Sequence, residues 1–111
     1  MPFFVYILQS EVDGSLYTGQ TNNLNERLKR HNNGLIRSSK SKAPFKLGYV
    51  ECYETRAEAM WREWELKKKW NTDRKKKLVR EFVASGKGDI AEVTLRLSRN
   101  HAIDDGQVNE A

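Results

Sequence analysis

A mixed fold of strands and helices is what this 111-residue sequence predicts, and three observations predict it. An apolar run near the start, "PFFVYIL", carries β-formers on both pleat faces, as a central strand does. "EVDGS" then supplies an Asp-Gly turn signal leading into a second extended stretch, "LYTGQ". Beyond it, capped segments with apolar residues at helical spacing alternate with one further strand-like stretch. The length suits a single domain with a modest core that needs neither metal nor disulfide support.

In order, the first two strands form a hairpin, and Gly19 near the end of the second marks a bulge or a close backbone approach. A helix follows from about Asn22 to Asn33, with Thr21, Asn22 or Asn23 as its cap and Gly34 as its stop. Leu24 and Leu28 define its buried side; His31 falls close to that side and Arg27 on its shoulder, one turn apart. "LIRSSKSKAPFK" is a basic loop, and "LGYVECYE" a third strand. "TRAE" opens a long helix with a capping box, Thr55 as cap and Glu58 three residues on. Its wheel places Glu58, Arg62, Glu65 and Lys69 on a solvated stripe of two ion pairs. Ala57, Met60, Trp61 and Trp64 form one apolar face, and Ala59, Leu66 and Trp70 a second. Glu63 lies off the solvated stripe, where a carboxylate needs a cation, a proton or a metal. Lys67, one turn on, is the nearest candidate, with Mg²⁺ the alternative. A last helix, capped by Asn71 or Thr72, carries Leu78, Val79, Phe82 and Val83 inward and ends at Gly86 and Gly88. "DIAEVTLRL" suits either a helix or a strand, and the final dozen residues read as a disordered tail.

Charge is unevenly spread. Residues 1–80 hold 17 of the 20 Lys and Arg and 9 of the 15 Asp and Glu, whereas residues 81–111 hold 3 basic and 6 acidic residues. A basic body with an acidic tail points to a polyanion, above all nucleic acid. Residues 56–80 alone carry ten Lys and Arg, interleaved with Trp61, Trp64 and Trp70. Lysines 67, 68, 69, 75, 76 and 77 are the candidate phosphate contacts, while Trp61 and Trp64, sharing an apolar face, are expected in the core. The one cysteine, Cys52, excludes an internal disulfide and fits a reducing, cytoplasmic setting. "FFVYIL" is too short to span a bilayer, so no membrane role is expected. There is no phosphate-binding glycine loop, and two scattered histidines with one cysteine make no zinc site.

Tyr6, Tyr17, Arg27, His31 and Glu63 together have the logic of phosphodiester cleavage. A tyrosine acidified by a nearby cation can handle a proton, an arginine answers the equatorial phosphate charge, and a carboxylate holds a divalent ion. With "FVYI" at residues 4–7, "YTG" at 17–19, "NLNERLKRH" and "EAMWRE" ending on Glu63, the chain resembles the GIY-YIG nuclease superfamily, most of all its small stand-alone YhbQ-type (URI-type) members. Phe4 replaces the first glycine of the name motif, and Gln20 stands where some repair relatives carry lysine. The resemblance covers roughly residues 2–82. It implies an α+β fold, a small central antiparallel sheet of about three strands flanked by helices. It also implies a nuclease domain over residues 1–84, with 85–111 an acidic, partly disordered extension. By position, Tyr17 would activate water, Tyr6 would be its hydrogen-bonding neighbour, and Arg27 would contact the scissile phosphate. His31 would relay a proton or contact phosphate, and Glu63 would bind Mg²⁺ (or Mn²⁺). The implied function is a metal-dependent endonuclease acting on DNA, directed by structure more than by sequence, in repair or processing. The alternative is a nucleic-acid-binding module that retains the fold without catalysis.

Overall fold

The computed structural model describes residues 2–85. Their elements run β1 (Phe3–Ser10), β2 (Leu16–Thr21), α1 (Leu24–Asn32), a 3₁₀ turn (Lys40–Lys42), β3 (Phe45–Tyr53), α2 (Arg56–Lys68) and α3 (Thr72–Ala84). The three strands form one antiparallel sheet in the order β2-β1-β3. This is the α+β arrangement expected, with β1 central. The expectations for "DIAEVTLRL", the acidic tail and the glycines beyond Ser85 fall outside the described residues.

β1 reads as a nearly continuous apolar run because both of its faces are covered. Phe4, Tyr6 and Leu8 pack with Leu24 of α1 and with Phe45, Leu47 and Val50 of β3. Val5 and Ile7 point the other way, to Ala59 and Leu66 of α2 and Val79 of α3. The β1–β2 turn uses Gly14 at φ 76°, in the left-handed region that glycine enters at no steric cost. β3 is bulged. Ile7 pairs with Tyr49 but Leu8 pairs with Leu47, so Gly48 is left over. Because of that extra residue, Phe45 and Leu47 share a face with Val50 and Cys52, while Tyr49, Glu51 and Tyr53 face α2 and α3.

Local signals set the helix ends as expected. Asn23 caps α1, Asn71 caps α3, and Thr55 with Glu58 closes the capping box of α2. The wheel of α2 needs correction, however. Ala59 and Leu66 are its buried residues, while Met60, Trp61 and Trp64 stand 53%, 62% and 42% exposed. The reason is Arg62, which lies in the inward stripe and reaches across to Glu51 of β3. Ranking residues by hydropathy favours the wider apolar face, but the small Ala59 and the countercharge on the sheet determine which face docks. The expected Glu58–Arg62 and Glu65–Lys69 pairs give way accordingly. Glu58 binds back to Thr55, Arg62 lies 3.6 Å from Glu65, and Lys69 sits over the Trp64 ring.

Candidate active site

The site begins at the β1–β2 pairing. Tyr6 lies directly opposite Gly19, and a Cβ on Gly19 would come within 2.4 Å of the Tyr6 hydroxyl oxygen. The close approach expected at Gly19 is thus the Tyr6 phenol itself. That phenol is 3.2 Å from Nε2 of His31, whose Nδ1 is 2.6 Å from Ser39 Oγ. Assigned from this network, Nδ1–H donates to Ser39, the Ser39 hydroxyl donates to the Ile36 carbonyl at 3.4 Å, and the Tyr6 hydroxyl donates to Nε2. Every side-chain polar atom of Tyr6, His31 and Ser39 is then satisfied, as their burial requires. Tyr6, His31 and Ser39 are each at most 1% exposed.

Burial also determines protonation. Loss of water holds His31 down to about 4, helped by the charges of Arg27 and Arg30, so the ring is neutral at pH 7. Burial pushes Tyr6 up to about 12 although Arg27 pulls the other way, and the charges of Tyr17 and Glu63 add to the rise. Tyr6 is therefore not a phenol acidified by a neighbouring cation: desolvation outweighs the guanidinium. It was expected as the hydrogen-bonding neighbour of Tyr17, but its hydroxyl bonds His31 instead. Tyr17 is differently placed. Two residues before Gly19 on the same pleat face, it stacks edge-on against His31 at 4.7 Å and extends its hydroxyl to within 3.3 Å of Ser38 Oγ at the surface. Tyr6, Tyr17, Arg27 and His31 thus gather under the α1 side of the sheet.

Glu63 stands on the α2 side. Its Oε2 is 2.8 Å from Lys67 Nζ, the partner expected from sequence, and its side chain is 20% exposed. Together with Gln20, Met60, Trp64 and Lys67 it lines a cavity of about 320 Å³. Gln20 is one of the lining residues, and its Oε1 is buried without a hydrogen-bond partner among the described residues. β2 is an edge strand, so the successive residues Gly19 and Gln20 face Tyr6 and Glu63 respectively, and the two half-sites meet around that edge. Among the described residues no group of three or more His, Cys, Asp or Glu is placed to hold a metal. A carboxylate and an unpartnered amide oxygen do fit a hard divalent ion that keeps most of its water or takes phosphate oxygens, as Mg²⁺ does. Lys67 would have to yield its hold on Glu63.

The helix that carries Glu63 is clamped from the sheet. Arg62 gives Nε to one Glu51 oxygen at 2.9 Å and Nη2 to the other at 3.0 Å, and the Tyr49 and Tyr53 hydroxyls each donate to the same carboxylate at 2.6 Å. Burial works against the Glu51 charge, but these four donors outweigh it and hold the carboxyl below its usual range. The guanidiniums of Arg62 and Arg74 both lie over the Trp70 ring, tying the α2–α3 corner.

Of the six candidate lysines, Lys67 borders the Glu63 cavity, whereas Lys77 lines a separate hollow with Trp70 and Arg74. Lys68, Lys69 and Lys76 are exposed and Lys75 half-buried. Burial pushes the Cys52 thiol up, and both His31 nitrogens are engaged elsewhere, so the two form no nucleophilic pair. Ser39 and Gln20 are the residues that sequence reasoning missed; Ser39 is one of five serines and lysines in a row, and nothing local sets it apart. No described helix is long and apolar enough to cross a membrane.

Comparison with known proteins gives the family. A family profile described as the GIY-YIG catalytic domain matches residues 2–77. A UPF0213 protein of Clostridium perfringens is 48% identical over 66 residues, which is 59% of this chain and 70% of that one. A UPF0213 protein of Staphylococcus aureus is 42% identical over 79 residues, 70% of this chain and 94% of that one. The solution NMR structure of a UPF0213 protein from Bacillus halodurans is 33% identical, with a TM-score of 0.43 over 88% of this chain and 98% of that one. With a match spanning most of the chain and both half-sites, the protein belongs to the GIY-YIG family.

Proposed function

We propose that the protein is a divalent-metal-dependent endonuclease that hydrolyses phosphodiester bonds in DNA, directed by structure rather than sequence, in repair or processing. One observation carries this reading: the edge strand β2 joins the buried Tyr6–His31–Ser39 chain and Arg27 on one side to the Glu63 cavity on the other. Bound at Glu63, Mg²⁺ or Mn²⁺ would supply charge relief at the leaving oxygen or the attacking water. Arg27 meets the charge that develops on the phosphorane oxygens. Tyr17, whose hydroxyl reaches the surface, is the tyrosine placed to orient the attacking water and, as phenolate with its own proton lost to solvent, to take the water's proton. Tyr6, held neutral and hydrogen-bonded to neutral His31, orients rather than ionises. Lysines 67, 68, 69, 75, 76 and 77 neutralise the flanking phosphates.

The test is cleavage of labelled DNAs (duplex, nicked, flapped, branched and single-stranded) with and without Mg²⁺, wild type beside Glu63→Ala. The expected result is metal-dependent cleavage by wild type and none by the variant, with DNA affinity kept. Full activity in Glu63→Ala overturns the metal assignment. The Lys67–Glu63 contact at 2.8 Å favours a second reading, in which the carboxylate is already neutralised and the protein binds nucleic acid without cutting it. On that reading, binding falls steeply with salt and no metal elicits cleavage.

A further inference from the structure

We infer that the exposed Trp61–Trp64 pair is a stacking platform for unpaired bases of single-stranded DNA beside the Glu63 cavity. The inference rests on the endonuclease reading only for what happens at Glu63. The two indoles lie nearly parallel, with centroids 5.1 Å apart and planes 24° from one another. With Ala57 and Met60 they line an open hollow of about 400 Å³. Tryptophans left this exposed are uncommon on a small soluble domain and mark a surface with work to do.

Charge and position select the occupant. Lys67 and Lys68 close the helix and Lys69 caps it, and the Lys69 ammonium lies 5.5 Å from the Trp64 ring centre. Cations beside an open aromatic face are what a strand with free bases requires, phosphates to the lysines and bases to the rings. Protein interfaces, by contrast, are depleted in lysine and need roughly 20 residues a side, far more than one face of one helix offers. Continuity completes the argument. Met60 and Trp64 line both the hollow and the Glu63 cavity, so a base on Trp64 leaves its own phosphate beside Lys67 and Glu63. A paired base keeps its faces inside the duplex stack. The substrate class this selects is DNA with a single-stranded segment at the scissile bond.

The experiment measures binding of oligothymidine and of a blunt duplex of equal length, in chelator so that nothing is cut. Wild type is compared with Trp61→Ala, Trp64→Ala and Trp64→Phe. The alanine variants are expected to lose about 5- to 100-fold in affinity for oligothymidine while duplex affinity changes by less than about 2-fold. Trp64→Phe keeps a π face and is expected to retain most of the affinity. Equal losses on both DNAs, or no loss on oligothymidine, overturn the inference. So does a wild-type dimer that the alanine variants disperse, since a second copy would then cover the patch. Selective loss of oligothymidine binding in a protein that cleaves nothing sinks the endonuclease reading alone; metal-dependent cleavage with unchanged oligothymidine affinity sinks the platform alone.

Discussion

On the α1 side of the sheet the polar groups Tyr6, His31 and Ser39 are buried and bonded to one another, whereas on the α2 side Glu63, Lys67, Trp61 and Trp64 meet solvent. The first set is complete without a ligand: each donor has its acceptor, and burial keeps both titratable rings neutral. The second set is incomplete. It holds a half-exposed ion pair, a buried amide oxygen unpartnered among the described residues, and two open aromatic rings. One half of the candidate site is therefore preorganised by folding, and the other is left open to solvent. On the proposed function, such a division would place rigidity where protons and phosphate are aligned, and adaptability where a polymer of varying shape is received.

The contrast can be broken most severely at the clamp under α2. Arg62→Met leaves the Glu51 carboxylate, 16% exposed, without its cation, and should lower stability by about 3 kcal/mol in urea denaturation. Adding Glu51→Gln should recover much of that loss, because the stranded charge is gone. A smaller effect is expected at Gly19→Ala, where a methyl would press on the Tyr6 ring: about 2 kcal/mol, with Tyr6 displaced from His31. If Gly19→Ala costs nothing, the α1 half is looser than its hydrogen bonds suggest. The smallest effect sharpens the comparison by pH. His31 is held to about 4 in the fold against an ordinary 6.5, so the unfolded chain binds the extra proton between those values. Stability should then fall as pH drops, by about 1 kcal/mol between pH 7 and 5.5, and this slope should vanish in His31→Gln.

Much of this was legible in sequence because it is local. Thr55 with Glu58, Asn71 ahead of its helix and Asp13-Gly14 at the hairpin each act within four residues, and each appears where expected. His31 and Arg27 were placed toward the sheet by helical periodicity alone. What escaped depends on residues distant in the chain. The inward turn of Arg62 could not be read without knowing that Glu51 waits 11 residues earlier on another element. Its absence from the reading sent Trp61 and Trp64 to the wrong side. Ser39 escaped for the same reason, since its part is defined by His31 across a loop. Tyr6, expected as the hydrogen-bonding neighbour of Tyr17, bonds His31 instead, because a pleat pattern shows which residues share a face and not which partner a buried hydroxyl meets.

The leftover Gly48 of β3 has a consequence for chain length. Removing that one residue would turn a bulged strand into a regular one while every other side chain kept its present facing, with α3, whose Val79 lies 3.0 Å from where a Gly48 Cβ would stand, as the neighbour that must settle anew. A deletion farther along would instead reverse each side chain between it and the bulge, Tyr49 first, and so dismantle the cradle around Glu51. β3 thus has a single place where a missing residue is silent, and relatives that differ in length by one should differ there.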